Sequence, residues 1–323
     1  MEERKQVDIS VIIPIYNEEG SIPELYRRLC ESVGGISKNY EFIFINDHSK
    51  DNSLYLLIEL SKADNRVFYI NFSRNFGHQI AVTAGLDFCS GDAVVIIDAD
   101  LQDPPELIPE LYKKYKEGYE VVYAKRIKRE GEGFFKKITA KIFYRLLKRI
   151  TMINIPLDTG DYRLLDKKIV DYLRIMPEQN KFLRGQIAWL GFNQMFVEYS
   201  RDGRKHGKTG YTLNKMIRFA LDGITSFSDK PLNMVTQAGI CISFLSFLAI
   251  FYTLYGHFIL KETISGWASL IISTMFFGGI QLISIGIIGL YISRINKNVI
   301  NRPLYIINNS NLVNVDKNIH GKG

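Results

Sequence analysis

The sequence predicts an α/β domain built on a mainly parallel sheet, followed by two transmembrane helices. In the first half, short runs rich in Val and Ile alternate with segments of helical periodicity, which is the pattern of βαβ units. Polar residues follow those apolar runs directly. Between Leu232 and Ile292 charged residues are rare, and two apolar stretches there exceed the about 20 residues that cross the hydrocarbon core.

Strands and helices are predicted in strict alternation. Because the Val/Ile runs are continuous, each strand is expected to be covered on both faces. The predicted strands are Asp8–Pro14, Tyr40–Asn46, Arg66–Phe72, Ala93–Ile97 and Tyr119–Ala124. The predicted helices are Ser21–Val33, Asn52–Lys62, Gly77–Cys89 and one that starts at Pro104. Ser21 and Glu24 have the spacing of a capping box, and Pro104 suits a first helical turn.

Composition narrows the possible partners. The 323 residues have a net charge of +7, so nucleic acid, anionic lipid and phosphorylated substrates are candidates. Zinc-finger spacing and basic-zipper heptads are absent from the sequence, which argues against nucleic acid. Clusters of Lys and Arg beside the apolar stretches favour a membrane surface. The polar N-terminus has no signal-peptide pattern, so the first part of the chain is expected in the cytoplasm.

The two predicted spans are Val235–Ile259 and Trp267–Ile292. Positive charge flanks them, which predicts cytoplasmic termini and a short external loop. Upstream, the basic amphipathic stretch Phe134–Ile150 is either a core helix or a helix in the membrane interface. After Arg302 the tail is polar and rich in Asn, and it is expected to be weakly ordered.

Four polar clusters are expected to meet at one edge of the sheet, because ligands bind beyond the carboxyl ends of parallel strands. The most informative cluster is Asp98-Ala99-Asp100, directly after a predicted strand. Two carboxylates at this spacing suit Mg²⁺ or Mn²⁺ shared with pyrophosphate oxygens, and such a metal neutralises a leaving diphosphate. The alternative is a solvated acidic turn.

Jointly, these motifs resemble those of family 2 glycosyltransferases of GT-A fold, specifically the polyprenyl-phosphate sugar transferases. That group includes dolichol-phosphate mannose synthases and bactoprenol glucosyltransferases. The matching segments are Val11–Glu19, Asn46–Asp51, Ser73–His78, Asp98–Glu106, Asp158–Arg163 and Arg204–Thr209. One departure is Gly210, which stands where the family pattern ends in Lys; Lys208 is the nearest replacement charge.

The resemblance implies roles for individual residues. Donor binding is expected from Pro14, Tyr16, Asn17, Glu18, Asp47, Arg74 and Asp98. Asp98 and Asp100 are the expected metal ligands, with Asp100 the principal one, and Gln102 and Asp103 are expected to position the sugar or the acceptor phosphate. Two alternatives stay open: Asp47 as a turn cap for Ser49 or Asp51, and Arg74 as a solvated surface residue.

The expected reaction needs cations more than it needs a base. A lipid phosphate attacks the anomeric carbon with inversion, and a phosphate is already largely ionised at neutral pH. The candidate cations for the acceptor phosphate are Arg126, Arg163, Arg204 and Lys208. Asp158 and Asp161 are further catalytic candidates that orient the acceptor, bind a sugar hydroxyl or act as base. Alternatively, Asp161 simply pairs with Arg163.

The expected substrates are a nucleotide-sugar and polyprenyl (undecaprenyl) phosphate at the cytoplasmic face of the inner (plasma) membrane. UDP-glucose is the first donor choice, and GDP-mannose and UDP-4-amino-4-deoxy-arabinose derivatives remain open as donors. Whether the chain forms a homo-oligomer also remains open. The predicted organisation is a GT-A domain at 1–210, a juxtamembrane segment at 211–231, two transmembrane helices at 232–294 and a cytoplasmic tail at 295–323.

Three rival functions are distinguishable in the sequence. A processive polysaccharide synthase usually has a Gln-x-x-Arg-Trp motif, which Gln186–Trp189 does not match because it lacks the Arg. A catalytically inactive scaffold would not need the acidic motifs. Transfer to a diacylglycerol-type hydroxyl would need a genuine base, and Asp161 would then be essential.

Overall fold

A computed structural model of the chain describes residues 6–126, 159–200, 228, 230–255, 259 and 266–312. They form two compact units. The first contains the described residues up to 200 together with those from 301 onward, and the second contains the two long apolar helices. The predictions for Asp158, Arg204, Lys208, the stretch Phe134–Ile150 and the juxtamembrane segment up to residue 227 fall outside the described residues.

The first unit is built on an eight-stranded sheet with the order β7-β5-β6-β4-β1-β2-β3-β8. The strands are β1 (Ile9–Ile15), β2 (Tyr40–Asn46), β3 (Val67–Phe72), β4 (Ala93–Ile96), β5 (Val121–Arg126), β6 (Thr159–Asp166), β7 (Gln194–Tyr199) and β8 (Ile307–Ser310). Strand β1 pairs in parallel with β2 and β4, and β2 with β3. Strand β6 runs antiparallel between β4 and β5. The predicted mainly parallel α/β fold is confirmed.

Helices cover both faces of the sheet. They are α1 (Ile22–Gly34), α2 (Ser53–Ala63), α3 (His78–Phe88), α4 (Ile108–Lys116), α5 (Lys167–Ile175) and α6 (Leu183–Leu190). Helices α1, α2 and α4 contribute to one hydrophobic cluster, and α3, α5 and α6 contribute to a second. Every residue of β1 and β2 is buried, which explains why their sequences are continuous rather than alternating.

Two local predictions about helix starts differ from the structure. Ser21 precedes α1, but its hydroxyl donates to the carbonyl and carboxylate of Glu18, at 3.0 and 2.9 Å. The predicted capping box with Glu24 is therefore wrong, because the preceding turn competes for the Ser21 hydroxyl. The helix expected from Pro104 starts as the 3-10 turn Pro105–Leu107 and becomes α4 only at Ile108.

The prediction of a weakly ordered tail is wrong for residues 304–312. Strand β8 pairs antiparallel with β3, and Leu312 is buried in the core cluster that includes α3. Asn311 accepts a hydrogen bond from the Tyr69 amide at 2.7 Å and donates one to the Val67 carbonyl at 3.0 Å. An exposed sheet edge offers unpaired backbone groups, so a polar segment becomes ordered once that edge is within its reach.

The second unit contains α7 (Lys230–Tyr255) and α8 (Trp267–Ile300). Both helices are long and apolar enough to cross a membrane, with mean hydropathy 1.4 over Lys230–Leu248 and 1.9 over Ser273–Ile300. Neither stretch is buried against other described residues. The two predicted apolar helices are therefore present, although α8 continues beyond the predicted end at Ile292.

Candidate active site

A cleft of about 370 Å³ lies at the carboxyl edge of the parallel strands. Its walls come from the segments that follow β1, β2, β3 and β4, as the sequence predicts for strands that run in the same direction. The lining residues are Pro14, Ile15, Tyr16, Glu18, Asp47, Asn75, Gly77, His78, Ala81, Asp98, Ala99 and Asp100.

The backbone at this edge is strained. Asn17, His48 and Leu101 have φ values of 56°, 61° and 58°, in the left-handed region that L-residues rarely adopt, and Gly77 has 98°. These four residues lie in the segments after β1, β2, β4 and β3, respectively. Such a conformation costs about 1–3 kcal/mol for a residue other than Gly, and it persists where the surrounding structure fixes a functional geometry.

The loops after β1 and β2 brace each other. The Asn17 amide donates to the Ser49 hydroxyl at 2.9 Å, and its side-chain oxygen accepts from the Lys50 amide at 2.8 Å. The Glu18 amide donates to the Ser53 hydroxyl at 3.0 Å. Of the predicted donor-binding residues at the end of β1 and on its loop, Pro14, Tyr16 and Glu18 line the cleft, whereas Asn17 holds the two loops together.

Asp47 connects the second and third loops. Its buried carboxylate accepts hydrogen bonds from the amides of Phe76 and Gly77, at 2.6 and 2.9 Å. Burial raises the pKa of Asp47, and these two hydrogen bonds partly offset that increase. The Ser49 amide bonds to Asn46 instead, at 3.3 Å. Arg74 is exposed, with its guanidinium 4.0 Å from the ring centre of Phe76, and it does not line the cleft.

An acidic cluster with one histidine lies at the end of β4. The Nε2 atom of His78 is 3.6 Å from Asp98 Oδ1 and 3.2 Å from Asp161 Oδ2. Burial raises the pKa of Asp98 to about 6. Burial lowers the pKa of His78, but the carboxylates of Asp98 and Asp161 outweigh this and raise it to about 9. The two carboxylates therefore favour the protonated form of His78.

Asp98 and Asp100 present carboxylate oxygens that fit a divalent metal, with further ligands to come from a bound molecule. Among the described residues no three His, Cys, Asp or Glu side chains are grouped to hold a metal alone. Asp98 Oδ1 is buried and accepts no hydrogen bond, and both carboxylates line the cleft. Carboxylate oxygens are what Mg²⁺ and Mn²⁺ prefer, and Mg²⁺ characteristically combines one or two carboxylates with substrate phosphates.

Asp161 is surrounded by cations. Its Oδ1 accepts from Arg163 at 3.1 Å and from Arg184 at 3.0 Å, and its Oδ2 faces His78. Burial opposes ionisation, but these cations hold the pKa of Asp161 well below its usual value. Arg163 is 1% exposed and also donates to the Gly160 carbonyl at 2.9 Å. The pairing of Asp161 with Arg163, which the sequence left open, is present.

Gln102 and Asp103 lie behind the acidic cluster. The Gln102 amide donates to Asp100 Oδ1 at 3.1 Å, and Asp103 is fully buried. Asp103 accepts from the Tyr199 hydroxyl, which in turn accepts from Arg126 Nε at 3.2 Å. Arg126 Nη2 lies 3.7 Å from Asp103. Neither Asp103 nor Arg126 lines the cleft.

Sequence reasoning missed His78, Arg184 and Tyr199. His78 is the first residue of α3 and ends a segment already recognised as a motif, so its position beyond β3 was an available signal. Arg184 and Tyr199 belong to α6 and β7, which were not predicted. No local pattern marks them, because they reach Asp161 and Asp103 only through the tertiary fold.

Comparison with known proteins identifies the class of this fold and site. Residues 10–174 match the family described as glycosyl transferase family 2. The chain therefore belongs to glycosyl transferase family 2, and it is a glycosyltransferase.

Relatives match over nearly the whole chain, and two of them serve as examples. YkcC, a glycosyltransferase of Bacillus subtilis strain 168, is 53% identical over 306 residues, covering 95% of each chain. The SfII prophage-derived bactoprenol glucosyl transferase of Shigella flexneri is 40% identical, covering 94% of this chain and 98% of its own. Among solved structures, glucosyl-3-phosphoglycerate synthase of Mycobacterium tuberculosis is 18% identical with a TM-score of 0.46, covering 68% of this chain and 76% of that one.

Proposed function

We propose that this enzyme transfers a sugar from a nucleotide-sugar, with UDP-glucose as the first candidate, to polyprenyl (undecaprenyl) phosphate with inversion. The main support is the acidic cleft in a chain whose relative at 40% identity over 94% of its length is a bactoprenol glucosyl transferase. The two apolar helices α7 and α8 support an acceptor that resides in the membrane.

In this proposal the donor occupies the cleft. The nucleotide lies between the loops after β1 and β2 and the loop that Asp47 holds in place. Asp98 and Asp100 would hold Mg²⁺ or Mn²⁺, which supplies positive charge to the departing diphosphate. His78 adds a fixed cation at the same edge, and it also keeps Asp98 and Asp161 from repelling each other.

The contacts of Asp161 support a phosphate acceptor over a hydroxyl acceptor. A hydroxyl must lose its proton to a base during attack, whereas a phosphate is already ionised. Asp161 is a poor base, because both of its oxygens face cations that stabilise its ionised form. Its role is therefore to hold His78, which lines the cleft, in position. Arg163 acts through Asp161, since it is too buried to meet a substrate.

Arg126 is the acceptor cation that remains among the described residues, with 20% of its side chain exposed. Together with Arg204 and Lys208 it would balance the charge of the acceptor phosphate beside the donor's diphosphate. We place the catalytic domain and both termini on the cytoplasmic side of the plasma membrane, because positive charge flanks the two apolar stretches.

The function is tested by offering the purified full-length enzyme a panel of nucleotide-sugars with undecaprenyl phosphate in vesicles. With UDP-glucose we expect a product whose mass equals that of the lipid phosphate plus one hexosyl residue (a hexose less one water). We expect only background with GDP-mannose and UDP-4-amino-4-deoxy-arabinose derivatives. The anomeric configuration of the product, opposite to that of the donor, checks inversion. Product with a diacylglycerol and none with the lipid phosphate would exclude the proposed acceptor.

Asp47→Asn is expected to weaken nucleotide binding about tenfold. An amide offers only one acceptor atom, so one of the partly buried N–H groups of Phe76 and Gly77 loses its partner, which costs about 1–3 kcal/mol. Titration calorimetry with UDP and Mn²⁺ measures the change. Asp51→Asn is the matched control, because Asp51 also accepts two backbone hydrogen bonds, from Glu19 and Ser53, but does not line the cleft. Equal losses in both variants would contradict a specific role of Asp47.

A further inference from the structure

The C-terminal segment, residues 301–312, lies against the base of the donor loop, which we define as residues 73–77. The Ser73 amide, the first of that loop, donates to the Ile306 carbonyl at 3.0 Å. In the adjoining antiparallel pairing of β3 with β8, Phe72 is opposite Ile307 and Asn71 is opposite Asn309. Asn75 and Gly77 of the donor loop line the cleft. The segment therefore contacts the point at which β3 turns into the active site.

A row of amide side chains also connects the C-terminal segment to the turn after β2. Asn71 donates to Asn309 Oδ1 at 2.6 Å, and Asn46 donates to Asn71 Oδ1 at 2.8 Å. Asn46 Oδ1 then accepts from the Ser49 amide at 3.3 Å. Asn46 and Asn71 are buried, so each amide depends on the next for its hydrogen bonds. The row ends in the turn after β2 that contains Asp47.

Aromatic packing provides a second connection. The Tyr305 hydroxyl donates to Asp87 on α3 at 2.8 Å, and its ring stacks on Phe72 with centroids 5.3 Å apart. Phe72 meets the edge of Phe76 at 5.5 Å. Phe76 belongs to the donor loop, and its amide is one of the two held by Asp47. Tyr305 thus supports the donor loop through the rings of Phe72 and Phe76.

We propose that Asn309 and Tyr305 are positioning residues of the donor site, holding the donor loop and the turn after β2 in the conformation that binds nucleotide. The proposal rests on the proposed function only in taking the cleft as the donor site. A loop fixed before the ligand arrives does not lose its conformational freedom on binding, so its supports increase affinity without touching the ligand.

Asn309→Ala and Asn311→Ala, compared in the full-length protein, separate positioning from simple attachment of the tail. Asn309 has one side-chain hydrogen bond to β3, near the cleft, and Asn311 has two, at Tyr69 and Val67 in the first half of that strand. A purely structural role predicts the larger effect for Asn311→Ala. A positioning role predicts that Asn309→Ala has the larger effect on the donor loop. Asn309→Asp keeps the acceptor oxygen and is expected to behave like wild type.

Hydrogen exchange of the Phe76 and Gly77 amides is the first measurement, made without any ligand. We expect faster exchange in Asn309→Ala and in Tyr305→Leu, and wild-type exchange in Asn311→Ala. The second measurement is the affinity for UDP and for GDP with Mn²⁺. For the nucleotide that wild type binds, we expect Kd to rise about fivefold in Asn309→Ala, as for the loss of one hydrogen bond, with little change in Asn311→Ala.

Equal exchange at Phe76 and Gly77 in Asn309→Ala and Asn311→Ala would overturn the proposal, as would equal nucleotide affinity. Failure of the proposed function gives a different result. If wild type binds neither UDP nor GDP, the donor assignment fails, while the exchange of the donor-loop amides still decides whether the C-terminal segment positions that loop.

Discussion

Asp100→Ala is expected to reduce sugar transfer by at least about 10²-fold, the scale of removing one preorganised electrostatic contact from an active site. Asp100 lines the cleft directly after β4, where its carboxylate is one of two oxygen donors suited to Mg²⁺ or Mn²⁺. Folding should be nearly unaffected, because the residue is half-buried in a loop, where it accepts a hydrogen bond from the Gln102 amide.

The same strand provides the control for that prediction. Asp92 precedes β4 at the opposite edge of the sheet, with its side chain 44% exposed and 3.4 Å from Lys167. Asp92→Ala removes the same number of atoms and the same charge, and it should leave transfer unchanged. Initial rates at saturating donor and thermal melting curves measure both variants. Near wild-type transfer by Asp100→Ala at saturating Mn²⁺ would exclude Asp100 as a metal ligand.

The parts of the fold that sequence predicted are those in which local pattern and tertiary environment agree. Strand β2 spans Tyr40–Asn46, as the sequence predicts, because a strand covered on both faces has an unbroken apolar sequence. The cleft followed from the same pattern, since parallel strands bring the residues after them to one edge. His78 and Asp98 come together in this way, although they are twenty residues apart in the sequence.

What sequence could not predict depends on contacts between distant segments. Strand β6 lies antiparallel between β4 and β5, so neither its neighbours nor its direction follow from βαβ alternation. The sequence of strand β8 resembles that of a polar tail, because its Asn residues gain partners only at the exposed edge of β3. From sequence, Arg163 is predicted to bind the acceptor phosphate. In the structure it is buried and donates to Gly160 and Asp161, and only the folded chain brings these acceptors to it.

Deleting α7 and α8 is expected to separate donor binding from access to the lipid. The informative variant replaces residues 230–300 by a flexible Gly/Ser linker of about 20 residues, which reaches about 25 Å on average. It keeps residues 301–323 and therefore strand β8. Its sheet has its own core and should fold, because the two units are compact separately. We expect nucleotide affinity close to that of the full chain.

Transfer by this deletion variant to undecaprenyl phosphate in vesicles should fall by about 10²-fold or more, because tethering supplies effective concentration and orientation at the bilayer. A short, water-soluble prenyl phosphate should still be glycosylated.

Truncation after residue 229 is the matched comparison, since it removes the same helices together with β8. The truncated chain should bind nucleotide more weakly than the deletion variant. If the deletion variant transferred sugar to the long-chain lipid undiminished, α7 and α8 would serve another purpose, such as oligomerisation. If it lost nucleotide affinity as severely as the truncated chain, the helices rather than β8 would support the donor site.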